Sequence, residues 1–190
     1  MARLRKPQPT LDSICFATPE QKVMRLLLSE PTTSFTPRVI SSKLKGVRGL
    51  GGGEGIMKIL TELQELGLVD FVDNRRAVRL HDDATPVQIQ KVFLAICDLE
   101  GLTSLLQPIS TKGILFGSRA KGRARSDSDY DLFVVSDNPE ESKKIAGRHP
   151  LGKLVEVFAV TPDKYSELEK DDPSLFEKLE AGIVLWGSTW

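Results

Sequence analysis

Apolar residues recur at helical spacing in three early segments of the chain. TPEQKVMRLLLSE (residues 18–30) predicts a helix, with Thr18 as N-cap, Pro19 at the first helical position, Glu20 and Gln21 in the first turn and Pro31 as its end. FTPRVISSKL (35–44) predicts a second, shorter helix with Val39, Ile40 and Leu44 apolar. IMKILTELQELGLV (56–69) predicts a third: Ile56, Ile59, Leu60, Leu63 and Leu66 share a face, and Gly67 suits the C-cap. Between the last two lies GVRGLGGGEG, which reads as a flexible connector. The pattern then switches to alternation. VDFVDNRRAVRLH (69–81) alternates on both sides of Asp73-Asn74, the mark of a β-hairpin.

A further helical pattern, TPVQIQKVFLAICDLEGLTSLLQPI (85–109), reads as amphipathic and joins the two halves of the chain. Beyond it, short apolar runs predict strands at 113–117, 131–135, 154–160 and 183–187. Helical segments ESKKIAG, DKYSELEK and PSLFEKLEA fall between them. Strands alternating with helices predict an α/β sheet packed on helices. Residues 1–18, with two prolines and little periodicity, read as a tail. The expected organisation is therefore a tail (1–18), a helical-plus-hairpin unit (19–82), a linker helix (83–110) and an α/β domain (111–190).

Composition adds limits. At 40% hydrophobic and 27% charged, the 190 residues suit soluble globular domains. No apolar run is expected to approach the roughly 20 residues that span a bilayer, and the basic N-terminus lacks the apolar stretch of a secretory signal. Cys15 and Cys97 show neither metal-ligand spacing nor a disulfide framework, so a cytoplasmic setting is expected, with no membrane partner. The zero net charge divides unevenly. Residues 1–80 hold 13 Lys/Arg against 8 Asp/Glu, and residues 81–190 hold 13 against 18. A basic first half suits a polyanion, and an acidic second half suits metal ions.

The chemistry concentrates in GILFGSRAKGRARSDSDYDLFVV (113–135). Gly117 lets backbone approach a phosphate, and Ser118 offers a hydroxyl at a helix start. Asp129 and Asp131 are two apart, so on a strand both side chains leave one face, with Cα atoms roughly 6.6 Å apart. Two convergent carboxylates suit Mg²⁺, which completes its shell with water and substrate phosphates. Tyr130 is expected to point the other way. Gly-Ser, ten residues, then Asp-x-Asp, between two apolar strands, resembles the DNA polymerase β-like nucleotidyltransferase superfamily, in particular its minimal nucleotidyltransferase branch. The resemblance implies transfer of a nucleoside monophosphate, AMP in the first instance, from a nucleoside triphosphate to a hydroxyl. It implies two Mg²⁺ or Mn²⁺ ions held by Asp129 and Asp131, and a third carboxylate on the next strand. Glu156 is the candidate, a lone charge among apolar neighbours, which is costly unless paired or metal-bound. Many relatives carry Asp there.

Around this core, Gly117, Ser118, Arg119 and Lys121 are expected to meet the triphosphate, and Asp127 to serve as a turn residue. His81 and His149 need no chemical role, and Trp186 and Trp190 read as packing or terminal residues. Gly51-Gly52-Gly53 lacks the Lys-Ser/Thr ending and the preceding strand of a phosphate loop.

The layout helix, helix, helix, hairpin resembles a winged helix-turn-helix, so the overall class expected is α+β: a winged helix-turn-helix followed by a nucleotidyltransferase α/β domain, a mixed sheet packed on helices. If the first unit binds duplex DNA, Lys43, Lys45, Arg48, Lys58, Arg75 and Arg76 would carry the contacts. Glu54, Glu62 and Glu65 against Lys58 on the third helix are poor for a phosphate-facing helix and keep a protein-binding or dimerising role open. A protein acceptor and a homodimer complete the expected partners. The competing reading is a non-catalytic winged-helix transcription regulator whose second domain senses nucleotide.

Overall fold

The computed structural model describes residues 8–188; Trp190 lies outside them. The first half is helical with one hairpin: α1 (Leu11–Cys15), α2 (Pro19–Ser29), α3 (Pro37–Lys43), α4 (Gly52–Glu65), β1 (Val69–Val72) and β2 (Ala77–Leu80). The expected Thr18 cap forms, accepting from the Gln21 N–H in a capping box. Val23 and Leu27 of α2, Ile40 of α3, and Ile56 and Leu60 of α4 close a core with Val69 and Val78 of the hairpin. Phe35 adds a single antiparallel bridge to Val78 beside the two-stranded hairpin.

Three expectations change here. Residues 11–15, read as tail, form a helix: Thr10 caps it, the Leu11 N–H donates to Glu100, and Phe16 after it is buried. The glycine run is not a free connector but the start of α4. Gly51 takes a left-handed N-cap conformation, and Gly55 packs so closely on the Leu50 carbonyl that a side chain would clash. The hairpin turn is wider than Asp73-Asn74: Asp73, Asn74 and Arg75 all have positive φ, at 51°, 53° and 64°.

Helix α5 (Thr85–Leu106), continued by a 3₁₀ turn to Ile109, is the shared element. Val87, Leu94 and Cys97 belong to the first core, whereas Ala95, Leu99, Leu102 and Leu106 belong to the second. Its apolar positions therefore serve different faces along its length, rather than one amphipathic stripe. Contrary to expectation, Thr85–Ile109 is long and apolar enough, by length and composition, to cross a bilayer, with a mean hydropathy of 1.4. A third of its most apolar stretch is buried within the fold.

The second half holds β3 (Lys112–Phe116), α6 (Gly117–Ala120), β4 (Tyr130–Val135), α7 (Pro139–Arg148), β5 (Val155–Val160), α8 (Pro162–Asp171), α9 (Pro173–Glu180) and β6 (Ile183–Trp186). The sheet is mixed, in the order β5-β4-β3-β6: β3 is antiparallel to β4 and β6, and β4 is parallel to β5. Strand parity divides the faces. Leu115, Tyr130, Leu132 and Val134 face α5 and α7, while Ile114, Phe116, Phe133 and Val135 face α8 and α9. Trp186 packs in the former layer, and its ring N–H donates to Ser110.

Candidate active site

Strand β3 runs straight into Gly117, which opens α6 at φ 72°. Opposite it, in the antiparallel register, Phe116 pairs with Asp131. The Asp131 carboxylate lies directly over Gly117, where any Cβ would overlap it. Only glycine therefore suits this position, for both its conformation and its space.

Asp131 is half-buried at the second residue of β4. Asp129 is not on the strand; it sits one residue before β4 and is exposed. The pair thus converges from a strand and its entry loop, a correction to the expected strand geometry. Glu156 is the register partner of Asp131 on parallel β5. It is also exposed, on an edge strand whose burial alternates, so the desolvation argument made for it does not hold. What brings it to the site is register alone.

The Asp131 carboxyl is pushed up from the ordinary carboxylate range, first by burial and then by the negative charges of Glu156 and Asp129. Arg119 and Lys178 act in the opposite direction. Lys178, on α9, was not foreseen: no sequence signal brings that helix to this strand end. Among the described residues no three His, Cys, Asp or Glu side chains are gathered as a ready metal site. The donor set nonetheless fits a hard divalent cation: carboxylates only, mutually repelling, beside a glycine cradle.

Of the expected phosphate-binding residues, Gly117 and Ser118 open α6, and Lys121 is exposed at its end. Arg119 is a correction. Its guanidinium turns back, donating to the carbonyl oxygens of Ser128 (2.6 Å) and Asp129 (3.2 Å), and it stacks 3.6 Å from the centroid of the Tyr130 ring. Those donors are committed within the fold. Asp127 lies in the exposed turn, as expected, and Tyr130 points to the α5 side.

In the first half the cations are dispersed. Lys43 pairs with Glu30 at 2.8 Å, Lys58 lies 4.0 Å from Glu62, and Arg75 covers the Phe71 ring at 4.3 Å. Arg76 is exposed beside the hairpin turn. Lys45 borders a groove with Arg38, Ser41 and Ser42, and Arg48 lies outside it. His81 lies 3.9 Å from Asp70, and His149 accepts from the Leu151 N–H.

Residues 99–185 match the family model described as nucleotidyltransferase domain. This part of the chain is a nucleotidyltransferase domain. The match begins inside α5, so the nucleotidyltransferase domain includes the C-terminal part of the helix read as a linker. Two solved structures are similar. One is a mutant of the toxin–antitoxin pair MntA-HpeT, at 18% identity over 50% of this chain and 74% of that one, with a TM-score of 0.35. The other is a putative nucleotidyltransferase from Sulfolobus solfataricus, at 19% identity over 54% and 85%, with a TM-score of 0.33. At those scores they add nothing to the argument. Comparison with curated proteins gives no match.

Proposed function

We propose that the nucleotidyltransferase domain transfers a nucleoside monophosphate, AMP in the first instance, from a triphosphate to a hydroxyl acceptor, and does so only with a divalent cation. The observation that carries this reading is Asp131, held over the Gly117 backbone with Asp129 and Glu156 as like-charged neighbours. Carboxylates forced together beside a glycine turn are destabilising unless a cation joins them. Asp129 and Asp131 would hold Mg²⁺ or Mn²⁺, with Glu156 as the third carboxylate. The cation would supply neutralisation of the triphosphate and a lowered pKa for the acceptor hydroxyl. The protein's own part is placement. The Gly117 backbone admits the triphosphate, and the Ser118 hydroxyl and the Lys121 ammonium orient it.

The first unit we read as a winged helix-turn-helix that brings the enzyme to its target. Three helices, a hairpin and the Phe35 bridge support that reading. For duplex DNA, Lys43, Lys45, Arg48, Lys58, Arg75 and Arg76 would meet phosphates. The charges on α4 favour a second reading, docking of a protein acceptor or of another copy. Glu54, Glu62 and Glu65 are all exposed there, and Lys58 already lies beside Glu62. Free Cys15 and Cys97 suit a cytoplasmic setting.

Calorimetric titration with ATP, in Mg²⁺ and again in excess chelator, tests the catalytic reading. Binding is expected only with the cation and is lost in Asp131→Asn. Binding indifferent to both would contradict it.

A further inference from the structure

Tyr130 lies between the two aspartates in sequence but on the opposite face of the sheet, where the halves of the chain meet. It is 4% exposed, and its hydroxyl donates to Asp98 Oδ2 at 2.7 Å. Asp98 sits on α5 where that helix passes from one core to the other. The other oxygen of Asp98 lies 3.6 Å from the Arg25 guanidinium of α2, which in turn hydrogen-bonds Asp12 of α1.

On the sheet side, Arg119 stacks on the Tyr130 ring and donates to the carbonyls of Ser128 and Asp129. Gly122, in the same loop, packs so tightly on the Gln88 carbonyl of α5 that a side chain would not fit. A cavity of about 160 Å³, lined by Leu28, Lys91, Asp98, Arg119 and Tyr130 among others, marks the seam. A continuous set of contacts therefore runs from α1 and α2, through α5, to the backbone of Asp129.

The chemistry proposed above uses none of these contacts. Their expense is real, however. Burial pushes the Asp98 carboxyl up, while the Tyr130 hydrogen bond and the charges of Arg25 and Arg119 bring it down. A partly buried polar network is rigid when every member is satisfied, and costly when one is not. Asp129 lies on a loop before its strand, so its backbone has no ladder to hold it. The Arg119 and Tyr130 contacts supply that support.

We propose that Tyr130, Asp98 and Arg119 are positioning residues for the Asp129–Asp131 pair, and that Arg25 ties this brace to the N-terminal unit. The inference rests on the reading of that pair as the cation site. An event at α1 or α2, such as docking of a partner, would then reach the metal site through Arg25, Asp98, Tyr130 and Arg119.

The test is calorimetric titration of Mn²⁺ alone into the full chain and three variants, with thermal unfolding in chelator measured alongside. Tyr130→Phe keeps the ring and its stack and changes no charge. Loss of a group that orients a ligand typically weakens metal affinity by about 10-fold or more, and that is the expected result. Arg25→Gln alters a half-exposed side chain. Removing a positive charge would by itself strengthen cation binding, whereas loss of the brace weakens it, so the sign decides. A purely structural role would lower the unfolding temperature and leave Mn²⁺ affinity intact. Unchanged affinity in Tyr130→Phe, or tighter binding in Arg25→Gln, overturns the proposal; if Tyr130→Phe does not fold, Arg25→Gln decides alone. Asp131→Asn separates the two levels. If it too binds Mn²⁺ normally, the cation-site reading itself fails; if it alone loses binding, only the brace fails.

Discussion

The two halves of the chain treat their charges in opposite ways. In the basic first half, cations are spread out and find local partners: Lys43 on Glu30, Lys58 near Glu62, Arg75 over Phe71. Exposed pairs of this kind contribute roughly 0–1 kcal/mol each and need no further purpose. In the acidic second half, the negative charges of Glu156 and Asp129 act on Asp131 at a strand end, and Asp131 is half-buried over a glycine. Net charge says little about function, while like charges held together against their repulsion say much. A perturbed carboxylate such as Asp131 in such a place marks a candidate for chemistry.

The sharpest way to break this contrast is to remove one of the crowded charges. Asp131→Asn or Asp129→Asn should lower cation-dependent pyrophosphate release by at least about 10²–10³-fold, the usual loss for a group acting on developing charge. Undiminished release from a folded variant would remove the site assignment.

The next effect is thermodynamic. Burial and two like charges raise the pKa of Asp131 in the folded chain above its unfolded value. Its contribution to stability is therefore fully present below the unfolded pKa and lost as pH rises through the raised value. At pH 7 in chelator, Asp131→Asn should unfold at a higher temperature than the unaltered chain. Mg²⁺ at 100 times its dissociation constant should stabilise the unaltered chain by about 2.7 kcal/mol and leave the variant unmoved. A variant that melts lower in chelator would show that Asp131 is held by partners instead of repelled.

Glu156→Gln is milder, since the residue is exposed and joins the site only through strand register. Mn²⁺ affinity should fall by roughly 10-fold with the fold intact. Unchanged affinity would leave two carboxylates as the protein's share. The smallest effect belongs to the first half. If that unit binds duplex DNA, Arg75→Ala with Arg76→Ala should flatten the plot of log affinity against log salt by roughly 1 to 2. Fluorescence anisotropy at several salt concentrations would measure this. A slope that does not change would assign those arginines to the hairpin surface, and absence of salt-dependent binding would favour the protein-docking reading.

What could be read from sequence was what is local and periodic. The capped α2, the apolar strands, the Gly117-Ser118 turn and the Asp129-x-Asp131 spacing each involve neighbours along the chain. What escaped depends on distant contacts. The five-residue α1 is too short for periodicity to reveal, and it persists because Asp12 meets Arg25 and Leu11 meets Glu100. The glycines that open α4 look flexible until Leu50 packs against Gly55. Arg119 looks like a phosphate ligand until Tyr130 and the Ser128 carbonyl engage it. Lys178 becomes a neighbour of Asp131 only when α9 folds back on the sheet.

The most direct measurement is a crystal structure of the chain soaked with Mg²⁺ and a non-hydrolysable ATP analogue. The triphosphate is expected along Gly117 and Ser118, with the cation touching the carboxylates of both Asp129 and Asp131. A triphosphate bound elsewhere, or a cation that leaves Asp131 untouched, would contradict the assignment of this site.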